Sequence, residues 1–589
     1  MTPPISTRYN NQKSAKLFRW FSIGFIIAST SFFLSSCSGG RPLETETITG
    51  GTPVKSRSNY TKYDADAFLH YILGQLYIRE QNWEKAENAF SRVVDSDRKA
   101  IDARIFVSHL AVQQGKINQA IESTKEVITL DPSREKSRVL LAGLLTAQKK
   151  YSEAAEQYET ILSKNPDNSG VRISLARTYG LLKEQNKAEA VLKPLFSDKK
   201  MAWKAYLTLG RVFASTPDLE SAIKAFYKSH EWAPDKIQPV IALGIILQKV
   251  NRPEESAKVY RDFLADFPDN KAIHSRLGRL LLNQNDRAGA LEEFRTISSL
   301  APDNIQARLT TGLILLSEYK YSEALQELRL AEASEPDNST VQYYIGQSLE
   351  FLNNLKQAEN TYLKIMPGAP FFNESQLRLA NIEAGSKRLG QAIARVEMLV
   401  KQHPKKAVYI KALSLLQLQA KDYTATVKST SDGLKIDPDN GELRFNRAMA
   451  YDKLDQWQKA EKDLRIYIEQ NPNDAHALNY LGYTWAEKNI YLEEAKSLLE
   501  RAVALAPDDG FVADSLGWVL YRLKNYKESL NRMQNAVRLE PKDPTIHEHL
   551  GDVLHALGKT QEAMEMWEKA LKLDPSNLKL KNKIKKNRK

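Results

Sequence analysis

Residues 268–304 read PDNKAIHSRLGRLLLNQNDRAGALEEFRTISSLAPDN, a stretch that opens and closes on the same Pro-Asp-Asn, 34 residues apart. A small residue, Gly278, stands 24 positions before Pro302, and a second, Ala290, follows it by twelve. Apolar residues here and in the preceding period, for example Leu243, Leu247, Val259 and Phe263, keep the spacing of three and four that marks a helix and not a strand. Each period is therefore read as two helices. The small residues let the pair approach closely, and the aromatic four places after the second one, Phe294, is expected to fill the space between units. Pro-Asp-Asn supplies a turn and an N-cap for the next helix.

The same ruler extends in both directions. Prolines recur at 132, 166, 234, 268, 302, 336, 370, 404, 438 and 472, and after one extra residue at 507, 541 and 575. Fifteen small residues and their aromatic followers (Phe90, Tyr158, Phe226, Tyr260, Tyr362, Trp567) fall on the same grid. This pattern resembles the tetratricopeptide repeat. The resemblance implies an all-α, superhelical α-solenoid of about fifteen helix-turn-helix repeats, each burying its apolar face only on its neighbours. Repeats one to nine occupy residues 67–372, the weaker repeats ten to twelve 373–474, repeats thirteen to fifteen 475–577, and a basic cap or tail 578–589.

Departures from the grid are informative. Arg98 and Lys200 replace prolines, and Pro194 falls inside a second helix. Glu383, Gln417 and Arg447 stand where buried leucine or tyrosine is usual. Met366-Pro367-Gly368-Ala369-Pro370 predicts an early end to the second helix of repeat nine, because residues before proline avoid helical geometry. A hinge or seam is expected over residues 366–390.

Ahead of the repeats, Arg8, Lys13, Lys16 and Arg19 precede an apolar run from Trp20 to Leu34, which is short for a bilayer span and reads as an export signal over residues 1–36. Leu34-Ser35-Ser36-Cys37 resembles the bacterial lipobox, and Cys37 is the chain's sole cysteine. The resemblance implies a lipidated Cys37, anchored by two or three acyl chains. In a host with two membranes, Ser38 in place of aspartate points to the outer membrane, facing the periplasm. Residues 37–66, rich in Ser, Gly, Thr and Pro where they follow the cysteine, form a flexible tether with a reach on the order of 25 to 30 Å.

The formal charge of +12 comes almost wholly from the ends: four basic residues in 1–36 and seven in 577–589, neither stretch holding an acid, leave +1 for everything between. A near-neutral folded body argues against nucleic acid as a partner. No phosphate loop, zinc-protease run or nucleophile elbow is present, so neither an enzyme nor a cofactor is expected. His555, Asp552 and Glu548 share one helical face, and a composite acidic site there is the alternative reading, as a regulator or enzyme of cell-wall metabolism.

By resemblance to tetratricopeptide arrays, four positions of each first helix face a concave surface. In repeats six and eight these include Ile241, Ile245, Leu309, Leu313 and Leu316; elsewhere they give a basic patch of Arg177, Arg211 and Arg279. In the last three repeats they are Asn479, Tyr483, Phe511, Asp514, Trp518, Tyr521, Glu548, Asp552 and His555. That mixture of aromatics with amide and carboxylate groups is expected to anchor a segment of another envelope protein, unless Trp518 and Tyr483 pack on the adjacent repeat. Lys411 is paired with Leu415 and Asn381 with Leu377, so the lysine–asparagine clamp for a chaperone tail is absent. The expected function is a lipid-anchored interaction scaffold for an envelope assembly, with a soluble tetratricopeptide chaperone as a further alternative.

Overall fold

The computed structural model describes residues 62–587, and within them the chain is helical throughout, with fifteen helical pairs and one terminal helix. It is an all-α solenoid of paired helices, and it divides into two compact units, up to Thr178 and from Tyr179. The signal segment, Cys37 and the tether up to residue 61 lie outside the described residues.

The quoted stretch shows how one pair is made. Asn270 caps the helix Lys271–Asn283 by accepting from the Ile273 N–H at 3.1 Å, and Asp286 caps Arg287–Leu300 by accepting from Gly289 at 2.9 Å. Between the two helices, Asn285 adopts a left-handed φ of 63°, which lets a turn of a few residues reverse the chain. Gly115 and Gly558 fill the same place in other pairs, where the missing Cβ removes the strain.

The ruler's prolines have a second role that the spacing alone did not reveal. A side chain six residues after the proline donates to its carbonyl: Arg172 to Pro166 at 2.9 Å, Arg308 to Pro302 at 2.8 Å, and Gln342 to Pro336 at 2.7 Å. The same donor position also faces the second helix of its own pair. Arg138 meets Gln157 at 3.0 Å and Arg308 meets Glu327 at 3.0 Å. Turn and helix pair are thus tied by one residue.

Small residues do what the pattern predicts, with one correction. The aromatic ring lies on the small residue of its own pair, so it fills the space within a unit and not merely between units. A Cβ at Gly244 would sit 2.2 Å from Tyr260, and one at Gly551 would sit 2.4 Å from Trp567. Where serine replaces the second alanine, its hydroxyl donates to the facing glycine carbonyl, Ser256 to Gly244 at 2.9 Å and Ser529 to Gly517 at 2.6 Å.

At Pro194 the second helix stops at Leu192 and finishes in a 3-10 turn, Lys193–Leu195. In repeat nine the second helix covers only Leu355–Tyr362. The expected seam at 366–390, however, is anchored at its start: Phe371, at a left-handed φ of 62°, stacks on Tyr343 with centroids 4.6 Å apart. One continuous apolar core runs from Leu207 to Ile382, ending inside the expected 366–390, and another runs from Ala448 to Ile584, so the interruption begins in that seam and extends across repeats ten to twelve.

That interruption is polar and paired. Arg395 grips the buried Glu383 with two bonds of 2.7 and 3.0 Å, Ser429 donates to Gln417 at 2.7 Å, and Arg447 holds Asp463 with bonds of 2.7 and 2.8 Å. Only small apolar clusters accompany them, Ala380 with Leu413 and Leu416, and Ile410 with Leu434 and Leu443.

Candidate interaction surface

The nine side chains expected to form a groove in repeats thirteen to fifteen belong to the helices Ala475–Lys488, Gly510–Arg522 and Pro544–Ala556. Their apolar stripes bury Leu478, Leu481, Leu516, Val519, Leu550 and Val553 in one core, which fixes the direction of the polar positions between them. Most of those positions are taken up by partners within the repeats and the terminal helix. Trp518 is buried and lies parallel between Tyr521 and His549, with centroids 4.9 and 4.1 Å away. His549 Nδ1 reaches both carboxylate oxygens of the buried Asp514 at 3.0 Å. Phe511 packs against Ala513, Ala536 and Ile546. Trp518 is therefore a packing residue between successive repeats and not an exposed anchor.

Glu548 and Asp552 are also occupied. Lys583, from the terminal helix Leu578–Asn587, donates to Glu548 at 2.8 Å and to both oxygens of Asp552 at 2.8 and 2.9 Å. Trp567 Nε1 donates to Asp552 at 2.8 Å, and Lys583 lies 5.7 Å above the same indole. Leu580 and Ile584 bury the apolar side of the terminal helix beneath. Burial opposes the Lys583 charge, but Asp552 and Glu548 more than reverse this and raise its pKa. This corrects the composite acidic site: its carboxylates neutralise a structural lysine, while His555 is exposed at 5.4 Å from Trp567. Among the described residues no group of three or more potential metal ligands assembles.

Asn479, Tyr483 and Tyr521 are half-buried. Desolvation, followed by Glu487, Asp514 and Asp543, pushes the Tyr483 hydroxyl up and keeps it a neutral donor. Arg177, Arg211 and Arg279 are exposed. Ile241, Ile245 and Leu313 are half-buried, and Leu309 and Leu316 are buried, so the apolar wall of repeats six and eight serves mostly the core.

His549 carries a pH dependence. Burial alone would lower its pKa, but Asp514, with smaller contributions from Asp552 and Glu487, raises it above the ordinary histidine value. The folded-state value exceeds the unfolded one, so the protonated pair contributes stability that is complete below about pH 6.5 and is lost as pH rises through the raised value. Urea unfolding of the C-terminal repeats followed by tryptophan fluorescence should show Asp514→Asn weaker than wild type at pH 6, the gap closing in alkaline buffer.

Exposed apolar side chains at the same first-helix positions occur singly at Phe68 and Val139 and as a pair in repeat eleven. On Ala407–Gln419, Val408 and Leu415 are 54% and 48% exposed. They lie seven residues apart on one face, with Lys411 between them paired to Glu442 of the next repeat. The sequence shows Leu415 only as a missing clamp asparagine. Its positive signal is two apolar groove residues in the very repeat whose interior turns polar.

Among the described residues, no helix is long and apolar enough to cross a membrane. Tetratricopeptide-repeat family models match residues 145–209, and 241–305, 445–510 and 515–577. A model described as anaphase-promoting complex, cyclosome, subunit 3 matches residues 79–161. The TPR repeat-containing protein PA4667 of Pseudomonas aeruginosa is 30% identical over 181 residues, 31% of this chain and 30% of that relative's length. Similar solved structures include the APC/C hetero-tetramer Cut9–Hcn1, at 13% identity and a TM-score of 0.33, covering 78% of this chain and 97% of that one. The TPR protein YrrB matches at 15% identity and a TM-score of 0.28, covering 32% and 97%.

Proposed function

We propose that this chain, a tetratricopeptide-repeat protein and hence a protein–protein interaction module, is a scaffold whose working surface is the first-helix face of repeats ten to twelve. The carrying observation is the exposure of Val408 and Leu415 at groove positions. Exposed apolar positions on a helix face, bordered by a charged pair, fit the apolar side of an amphipathic segment of a partner. Repeats thirteen to fifteen, whose groove residues pair internally, act in this reading as a rigid end to the scaffold. The test is affinity purification of the full chain carrying Leu415→Glu. Loss of the proteins that accompany wild type, with Trp518→Phe retaining them, supports the assignment; an unchanged set overturns it.

A second reading concerns place. The Leu34-Ser35-Ser36-Cys37 flank after an apolar run favours a lipid-anchored scaffold of the cell envelope, at the outer membrane of a two-membrane host. Labelling with a radioactive fatty acid should mark wild type and miss Cys37→Ala. A wild-type chain that takes no label would instead be a scaffold or chaperone free of the membrane.

A further inference from the structure

Basic side chains recur at one place of the first helices. Arg276, Arg378, His549 and Lys583 share a single register of the 34-residue ruler once its one extra residue is counted. Three of the four meet a carboxylate from the first helix before them. Arg378 lies 3.8 Å from Glu350, His549 holds Asp514, and Lys583 holds Glu548 and Asp552. Those acids stand at three register places, which in front of Arg276 are occupied by Ile241, Ile245 and Gln248. Neither Ile237–Lys249 nor Lys271–Asn283 contains an acid, and among the described residues Arg276 makes no ion pair.

Repeat nine shows what is missing. There the Tyr362 hydroxyl donates to Glu350 at 2.5 Å, on the same carboxylate oxygen that faces Arg378. In repeat six Tyr260 is as fully enclosed as Tyr362, Arg276 stands near its hydroxyl, and Gln248 takes the place of the glutamate. The Gln248 amide turns back into its own pair, donating to the Gly244 carbonyl at 3.0 Å and to Ser256 at 3.2 Å. The buried Tyr260 hydroxyl is left without a partner in hydrogen-bonding geometry. A guanidinium and a hydroxyl thus border a place that the array elsewhere fills with a carboxylate.

We propose that an acidic side chain of a partner segment supplies this carboxylate, docking on the Arg276 guanidinium, with apolar side chains of the same segment on the half-buried Ile241 and Ile245. Arg279, exposed and one turn farther along, adds a second cation. No first helix from repeat five to repeat eight bears an acid to oppose them. A carboxylate suits the place more than a phosphate does, because carboxylates occupy its counterparts before Arg378, His549 and Lys583 and an apolar shoulder lies beside it. The site stands apart from the surface on repeats ten to twelve and does not depend on it.

The test pans a displayed library of random peptides on the full chain carrying Cys37→Ala. Enriched peptides should hold an acid beside apolar residues. In that background, Arg276→Gln and Gln248→Glu should each weaken an enriched peptide about tenfold or more, the second because the chain then fills the place with its own carboxylate. Changing the peptide's acid to its amide should cost as much on the parent chain and nothing further on Arg276→Gln. Leu415→Glu should leave the affinity as it was. Far-UV circular dichroism should match across the variants, and Gln248→Glu should melt no lower than its parent. A library that yields no enriched peptide overturns the proposal, as do enriched peptides without an acid and a peptide that binds Gln248→Glu as tightly as its parent. Labelled single-stranded DNA that binds the parent chain and is released by Arg276→Gln would assign the place to phosphate, and overturns it too.

Discussion

Arg395→Ala is expected to cost about 3–5 kcal/mol, because it strips both bonds from Glu383 and leaves a carboxylate that is 2% exposed without its paired guanidinium. The loss should appear as faster hydrogen exchange in Phe372–Gly385 and Leu389–Gln402, and then in both flanking repeats, since an interior unit of an array supports two neighbours. The paired change Glu383→Leu with Arg395→Leu should recover most of the stability, and it restores the residue class usual at the first position. If the single and double variants exchanged alike, the ion pair would not be what holds this repeat together.

The same pair shows where the sequence was legible and where it was not. Periodicity, small residues and the Pro-Asp-Asn turn place the helices and predict caps such as Asn270, because those features depend on neighbours within one pair. The polar departures at Glu383, Gln417 and Arg447 read as weakness when each is taken alone. Their partners, twelve or sixteen residues on, are Arg395, Ser429 and Asp463, and a check for complementary residues at that offset finds all three. Trp518 was less tractable. Its position faces away from its own second helix whether it meets solvent or the next repeat, and only the arrival of His549 from the following first helix decides the matter. Leu415 was missed for the opposite reason: an exposed leucine on a first helix has the same composition as a buried one, and three-dimensional neighbours alone separate them.

Trp567→Ala should lower the stability of the last repeat by about 3–5 kcal/mol, the cost of removing a fully enclosed aromatic. The indole does three things at once: it covers Gly551, where a Cβ would lie within 2.4 Å, it donates to Asp552 at 2.8 Å, and it lies beneath Lys583. Removing it leaves a void under the terminal helix, so Leu578–Asn587 should lose protection first, followed by Thr560–Leu573. Unlike Arg395→Ala, the damage meets a folded neighbour on one side only, and exchange upstream of Gly510–Arg522 should stay as in wild type. Trp567→Phe keeps the ring and drops the hydrogen bond, for an expected loss of about 1 kcal/mol while Lys583 still neutralises Asp552. Exchange that rose evenly across all fifteen pairs in Trp567→Ala would show the array to be one cooperative body, and the local coupling derived from its nearest-neighbour packing would have to be abandoned.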